Sequence, residues 1–290
     1  MIPCRAPDVE WVSHVEAEAS QGSGSAGLRY ESDLTDAEWA QVEPLIRPAK
    51  RGGRPRTVNV REVLNAIFYV LWTGCQWKAL PKDFPPRSTV WEYLDLWEWD
   101  GTLTRIHHVL YIETREKAGR EASPTTAIID SQSAKGALKG GASLDPSGYD
   151  AGKKVTGRKR HILTDTLGLL LAVSVHPASV QDRDGAEALL REARRTFPFI
   201  KRIIGDAGYQ GRKMEAALAR TGTWTLQIVR RCDHHRFVVL PKRWIVERTL
   251  AWISRNRRLA RDYERHTRKA AAFVRLAMIR LMLRRLAPNR

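Results

Sequence analysis

Two runs of branched apolar residues, TTAIID at 125–130 and IKRIIGDAG at 200–208, each end on an aspartate. Short runs of this kind, bounded by turn-forming residues, read as strands buried on both faces. Between and after them, DRDGAEALLREARR at 182–195 and RKMEAALAR at 212–220 carry the helical spacing of an amphipathic helix. RHILTDTLGLLLAVSVHPAS at 160–179 reads as two strands joined by a turn at Asp165 to Gly168, and WTLQIVRR at 224–231 as one more. The predicted order from residue 120 onward is β, ββ, α, β, α, β, α, with two basic helices at about 241–264 and 267–287 closing the chain. Such a mixed α/β order suits a central sheet flanked by helices.

The part before residue 116 has a different character. Residues 1–27 end in SQGSGSAG and read as a flexible tail. From 28 to 115 the pattern is all helical. Thr35 predicts an N-cap with Glu38 three residues on, Val63, Ile67, Val70 and Leu71 mark a helix from Val60 to Trp72, and Ser88 precedes TVWEYLDLWEW. Trp77, Trp91, Trp97 and Trp99 are expected to fill a small core, which suits a helix-turn-helix-like, DNA-binding module or another small helical domain of the same pattern. KRGGRPR at 50–56 holds Arg54 and Arg56 in an extended Gly/Pro context, suited either to an A·T-rich minor groove or to a plain basic loop.

Charge divides along the same line. The net +17 splits into −3 for residues 1–115 (13 Lys+Arg against 16 Asp+Glu) and +20 for 116–290 (36 against 16). The C-terminal part therefore favours polyanions, nucleic acid first among them, because each neutralised phosphate releases condensed counterions. No apolar run reaches membrane-spanning length and the first residues lack the blocks of a signal peptide, so a cytoplasmic protein without a membrane partner is expected. Cys4, Cys75 and Cys232 are odd in number and far apart, so they read as reduced thiols. CDHH at 232–235 has no second Cys/His cluster at ligand spacing, and a zinc site is set aside.

Asp130 and Asp206, each past an apolar strand, fall where α/β folds place their sites, although a lone strand-end Asp usually makes a turn. The third carboxylate is Glu247, isolated in the arginine-rich stretch RWIVERTLAWISRNRRLARDYER. Three carboxylates from separate elements can hold two Mg²⁺ ions, with Mn²⁺ able to take their place, and such a site performs phosphoryl transfer by in-line displacement. On a continuous helix Arg243, Arg258 and Arg261 would lie within roughly 40° of Glu247, with Ile245, Trp252, Ile253 and Tyr263 on the far side. The plainer reading of Glu247 is an i, i+4 pair with Arg243, and both can hold. Lys159 and Arg160, in KKVTGRKRHI, are expected to contact phosphates or to make a solvated basic turn. Asp182 is a second-choice ligand, with helix capping expected first of Asp182 and Asp184.

AIIDSQS with GRKRHILTDTLGLLLAV, then IIGDAGYQG, then LPKRWIVERTLAWISRNRRLARDYE resemble the catalytic region of bacterial insertion-sequence transposases with a DDE triad, in the group named after insertion sequence five. LTDAEWAQVEPLI and the segment through WEWDGTL resemble that group's N-terminal region, so the likeness runs from Leu34 to Leu286. It implies an RNase H-like catalytic domain over 120–290, with Asp130, Asp206 and Glu247 as metal ligands. It also implies a dimer or larger assembly on double-stranded DNA that cuts at terminal inverted repeats and joins their 3′ ends to target DNA. The family's Tyr, Arg, Glu, Lys signature has two, three and six residues between its members. Arg243 and Glu247 match its middle, while Leu240 and Ser254 replace the Tyr and Lys and leave Arg255 as a substitute. Arg243, Arg255 and Arg258 are the expected phosphate contacts. The 40 residues between Asp206 and Glu247 leave no room for a large inserted domain. The rival readings are an RNase H-like nuclease that does not join ends, and a DNA-binding regulator with a degenerate site.

Overall fold

The computed structural model describes residues 28–48, 56–137, 144–229 and 242–287. Four helices come first: α1 (Asp36–Val42), α2 (Val60–Thr73), α3 (Arg87–Trp99) and α4 (Thr102–Lys117). Their ends follow local chemistry. Thr35 and Glu38 form a reciprocal capping box, Asn59 accepts from the Arg61 and Glu62 amides, and Gly74, at φ 68°, ends α2 in the left-handed conformation. The expected Ser88 cap lies inside α3, which begins at Arg87 after Pro86.

A six-stranded mixed sheet follows, from β1 (Thr126–Lys135), β2 (Gly148–Asp150), β3 (Val155–Thr164), β4 (Leu170–Pro177), β5 (Arg202–Gly205) and β6 (Thr225–Ile228). β3 pairs antiparallel with β1 on one side and with β2 and β4 on the other, while β1, β5 and β6 run parallel. The helices α5 (Asp182–Thr196), α6 (Arg212–Thr221), α7 (Arg243–Ser254) and α8 (Thr267–Leu286) complete the chain. This is a helical N-terminal region followed by a mixed sheet with flanking helices, as in RNase H-like domains.

Side chains alternate across a strand, and β1 uses both of its faces. Ser131 Oγ donates to Asp182 at the head of α5, while Gln132 Nε2 donates to Ser254 at the end of α7. These helices therefore cover opposite faces, and Asp130 shares the α7 face. The last helix departs from expectation. α8, expected only as a basic helix, is buried along most of its length, between α4 on one side and β4 on the other. Its Phe273, Val274, Leu276, Met278, Ile279, Met282 and Leu283 join a core that runs from Leu34 through the sheet.

Three of the basic residues of α8 pair with carboxylates of the same chain. Lys269 is 1% exposed and pairs with Asp95, Arg268 pairs with Asp95 and Glu98, and Arg275 with Glu192. Acidic α3 thus meets basic α8, and part of the charge split in the sequence is an internal complementarity. Trp97 is buried and Trp77 packs edge-on against Trp91, but Trp99, expected in the core, is 80% exposed at the end of α3.

Candidate active site

Register brings the two aspartates together. Thr126, Ala127 and Ile128 of β1 lie level with Arg202, Ile203 and Ile204 of β5, so two residues further on Asp130 and Asp206 are level on neighbouring parallel strands. Asp206 stands just past the end of β5. Asp130 does not end its strand, because β1 continues to Lys135 on the ladder with β3, from Ser131 opposite His161 to Lys135 opposite Gly157. The turn-like composition of SQSAKG concealed this, since a paired neighbour carries Ser and Gln through a strand that they would not form alone. β5 stops where Asp130 begins, and that ending opens the crevice.

Backbone N–H groups orient both carboxylates. Asp130 Oδ1 accepts from the Ser131 amide at 2.7 Å, and Asp206 Oδ1 from the Gly208 amide at 2.9 Å in a 3₁₀ turn. A Cβ on Gly208 would sit 3.0 Å from Asp206 Oδ1 and 3.1 Å from Asp182 Oδ2, so a side chain there would displace one or the other. Burial pushes the Asp130 carboxyl up to about 6. The Ser131 amide and Arg243 work against that rise, and Asp206 adds to it.

Glu247 arrives on α7, whose seat is the β3–β4 turn. Thr249 Oγ1 donates to Gly168 O at 2.7 Å and Arg248 to Leu167 O at 3.1 Å. The turn is itself pinned by buried Asp165, which accepts from the Leu167 and Leu169 amides and pairs with Arg115 of α4. Ile245, Val246, Leu250 and Ile253 face inward, and the Glu247 side chain is 58% exposed on the other side. Arg243 joins the carboxylates: a terminal nitrogen lies 3.1 Å from Asp206 Oδ2, and Nε faces Glu247 Oε1 at 3.4 Å as an ion pair without hydrogen-bond alignment. The expected i, i+4 pair is present, and the same arginine also reaches Asp206.

Several expected phosphate contacts point inward instead. β3 is a central strand covered on both faces, so its basic residues have no solvent side. Lys159 pairs with Asp182 and Asp150, and Arg160, 2% exposed, donates to Leu259 O and Arg261 O. Arg258 is 7% exposed, pairs with Glu264 and donates to Cys75 O. The helix expected to continue to residue 264 stops at Ser254, where the Asn256 side chain turns back onto the carbonyls of Trp252 and Ile253. Pairing of Asp262 with Arg158 draws the following segment onto the sheet, which removes Arg258 and Arg261 from the Glu247 stripe. Arg56 donates to Arg47 O, whereas Arg54, Leu240 and the CDHH run lie outside the described residues. Arg255 is exposed at the end of α7, beside Ser254.

Two neighbours of the site were not singled out by sequence. Lys153 Nζ lies 3.5 Å from Ser131 O and its charge lowers the Asp130 value; the motif that holds it was noted, but for its strand residues. Tyr209, fully buried, has its phenol raised well above the ordinary range by burial and then by Asp130, Asp182 and Asp206. Asp182 makes no side-chain cap to its helix. Burial works against its charge, but the Ser131 hydroxyl and Lys159 hold its carboxyl below the ordinary value.

Asp130, Asp206 and Glu247 fit a divalent cation by donor type, as hard oxygen ligands, and one cationic side chain already pairs with two of them. Among the described residues no group of three His, Cys, Asp or Glu side chains stands at ligand spacing. Among them too, no helix is long and apolar enough to cross a membrane.

Residues 121–282 match the family model described as "Transposase DDE domain", and residues 34–107 match one described as "Putative transposase of IS4/5 family". From Burkholderia cepacia, the "Insertion element IS402 uncharacterized 16.2 kDa protein" is 33% identical over 106 residues, 34% of this chain and 71% of that protein. The "Putative transposase for insertion sequence element IS402" of the same organism is 32% identical over 127 residues, 41% of this chain and 60% of that protein. The DDE match covers more than half of the chain and includes both register-matched aspartates and the helix of Glu247, so the chain belongs to the DDE transposase family, in its IS4/5 group.

Proposed function

We propose that the chain binds the terminal inverted repeats of its own insertion sequence as a dimer or larger assembly, cuts there to expose 3′-hydroxyls, and joins them to target DNA. The family's chemistry is metal-dependent phosphoryl transfer. The observation that carries the reading for this chain is the level placement of Asp130 and Asp206 on parallel strands, with Glu247 tied to Asp206 through Arg243.

Asp130, Asp206 and Glu247 would hold two divalent ions, Mg²⁺ in the first instance. Bound there, such ions would supply activation of water or a 3′-hydroxyl and stabilisation of the leaving oxygen. Asp130 must release its proton to serve, and burial, which pushes its carboxyl up to about 6, works against that release. Arg243, Arg255 and Lys153 would hold DNA phosphates, with Arg255, exposed at the end of α7, taking the part of the missing lysine. Recognition of the ends falls to the N-terminal helices and the segment of Arg54.

The test is a supercoiled plasmid carrying the element's ends, incubated with protein and Mg²⁺. Joined products support a transposase, nicks without joining a nuclease, and binding without cleavage a regulator. Asp206→Ala is expected to lower joining by about 10³-fold or more, since it removes several kcal/mol of charge stabilisation from the transition state. Joining that survives Asp206→Ala would overturn the metal-site assignment.

A further inference from the structure

Arg243 is ion-paired with two of the three carboxylates that the metal would need. Its guanidinium lies 3.1 Å from Asp206 Oδ2 and 3.4 Å from Glu247 Oε1, and its charge also acts on Asp130. Three carboxylates in one crevice repel one another, and one cation among them relieves that repulsion. A guanidinium and a divalent cation cannot share Asp206 Oδ2 in the same direction, so one excludes the other. Arg243 is also placed to leave. It opens α7, directly after Lys242, and the carboxylates it bridges are 25% and 58% exposed, so a phosphate can approach from solvent.

We propose that Arg243 is an internal counter-ion of the metal site, competing with divalent metal for Asp206 and Glu247, and that a DNA phosphate releases the site by drawing the guanidinium away. Metal and DNA then bind cooperatively, each favouring the state in which Arg243 has changed partners. By linkage the two effects are equal: DNA strengthens metal binding by the factor by which metal strengthens DNA binding. The protein without DNA holds metal weakly, which limits cutting to docked DNA. This inference rests on the metal-site reading proposed above.

The experiment measures Mn²⁺ binding to the full chain by calorimetry and by the electron paramagnetic resonance of free Mn²⁺, with and without a short duplex. Without DNA, Arg243→Gln is expected to bind Mn²⁺ about three- to tenfold more tightly than the natural protein, the scale of losing two partly exposed ion pairs. Addition of duplex should tighten Mn²⁺ binding much less in Arg243→Gln than in the natural protein. Arg243→Lys, which keeps the charge but lacks the fork that bridges two carboxylates, should fall between them. Circular dichroism establishes that each variant is folded, and Arg243→Lys carries the comparison if Arg243→Gln is not. Equal or weaker Mn²⁺ binding in a folded variant overturns the counter-ion role and leaves the metal site standing. No Mn²⁺ binding by any form, with or without duplex, overturns the metal site and this inference together.

Discussion

The two C-terminal helices α7 and α8 are both arginine-rich, and they have opposite fates. α7 lays one face on the β3–β4 turn and turns Glu247 outward, with Arg243 beside it. α8 buries nearly its whole circumference between the N-terminal helices and the sheet, and its Lys269 and Arg280 are 1% and 5% exposed. A basic residue on a helix is thus not evidence of a DNA surface until its partner is known. Where an acidic helix such as α3 packs alongside, the charge is used within the fold; where the neighbours are the partly exposed carboxylates Asp206 and Glu247, it stays within reach of solvent.

The seat of α7 offers the largest way to break this contrast. Asp165→Ala leaves Arg115 charged and buried and frees the turn that receives Thr249, so urea denaturation should show a loss of about 3–5 kcal/mol. A loss below about 1 kcal/mol would mean that the turn does not depend on this pair.

A crossed pair of arginine variants sharpens the contrast at intermediate size. Arg280 lies 4.4 Å from the Trp72 ring centre, and Arg280→Ala should lower stability by about 1–3 kcal/mol without changing the salt dependence of DNA binding. Arg255→Ala, on the exposed end of α7, should change stability by less than about 0.5 kcal/mol but reduce the salt slope of duplex binding by about 1. The two effects exchanged would refute the assignment of inner and outer arginines.

Protonation gives an effect that grows as pH falls. His107, fully enclosed near α8 and Arg275, has its imidazole lowered to about 3, first by burial and then by Arg275 and His108. Below its unfolded value of 6.5 the unfolded chain binds the proton that the folded chain refuses, so stability declines as pH falls from 6.5 toward 3 and is unaffected above. Replacing His107 with Gln should flatten that decline in melting temperature between pH 7 and pH 5. An unchanged slope would place the acid sensitivity elsewhere, with buried His161, lowered by burial to about 4, the next residue to replace.

Element types were legible from local pattern. The capping box at Thr35, the strand runs around Ile128 and Ile203 and the helix at 182–195 all stand where spacing placed them. The family matches agree with the resemblance carried by the aspartate and glutamate motifs. Orientation was not legible. GRKRH looks like a phosphate-binding run, yet in a strand paired on both edges and covered on both faces Lys159 and Arg160 can only point inward. The wheel that aligned Arg258 with Glu247 assumed one helix to residue 264, and the Asp262–Arg158 pair, 104 positions apart in sequence, ends that assumption.

By itself the sequence determined most of the strands and helices, because apolar spacing and capping act over a few residues, but not the run of β1 to Lys135, strand β2 or the end of α7 at Ser254. It also supplied the three candidate carboxylates, whose setting after apolar runs or among arginines is local. Only the tertiary structure decided that Asp130 and Asp206 stand level, that Arg243 links Asp206 to Glu247, and which basic residues are internal. Register, burial and ion pairing depend on groups distant in the chain meeting in space, and no local window contains both partners.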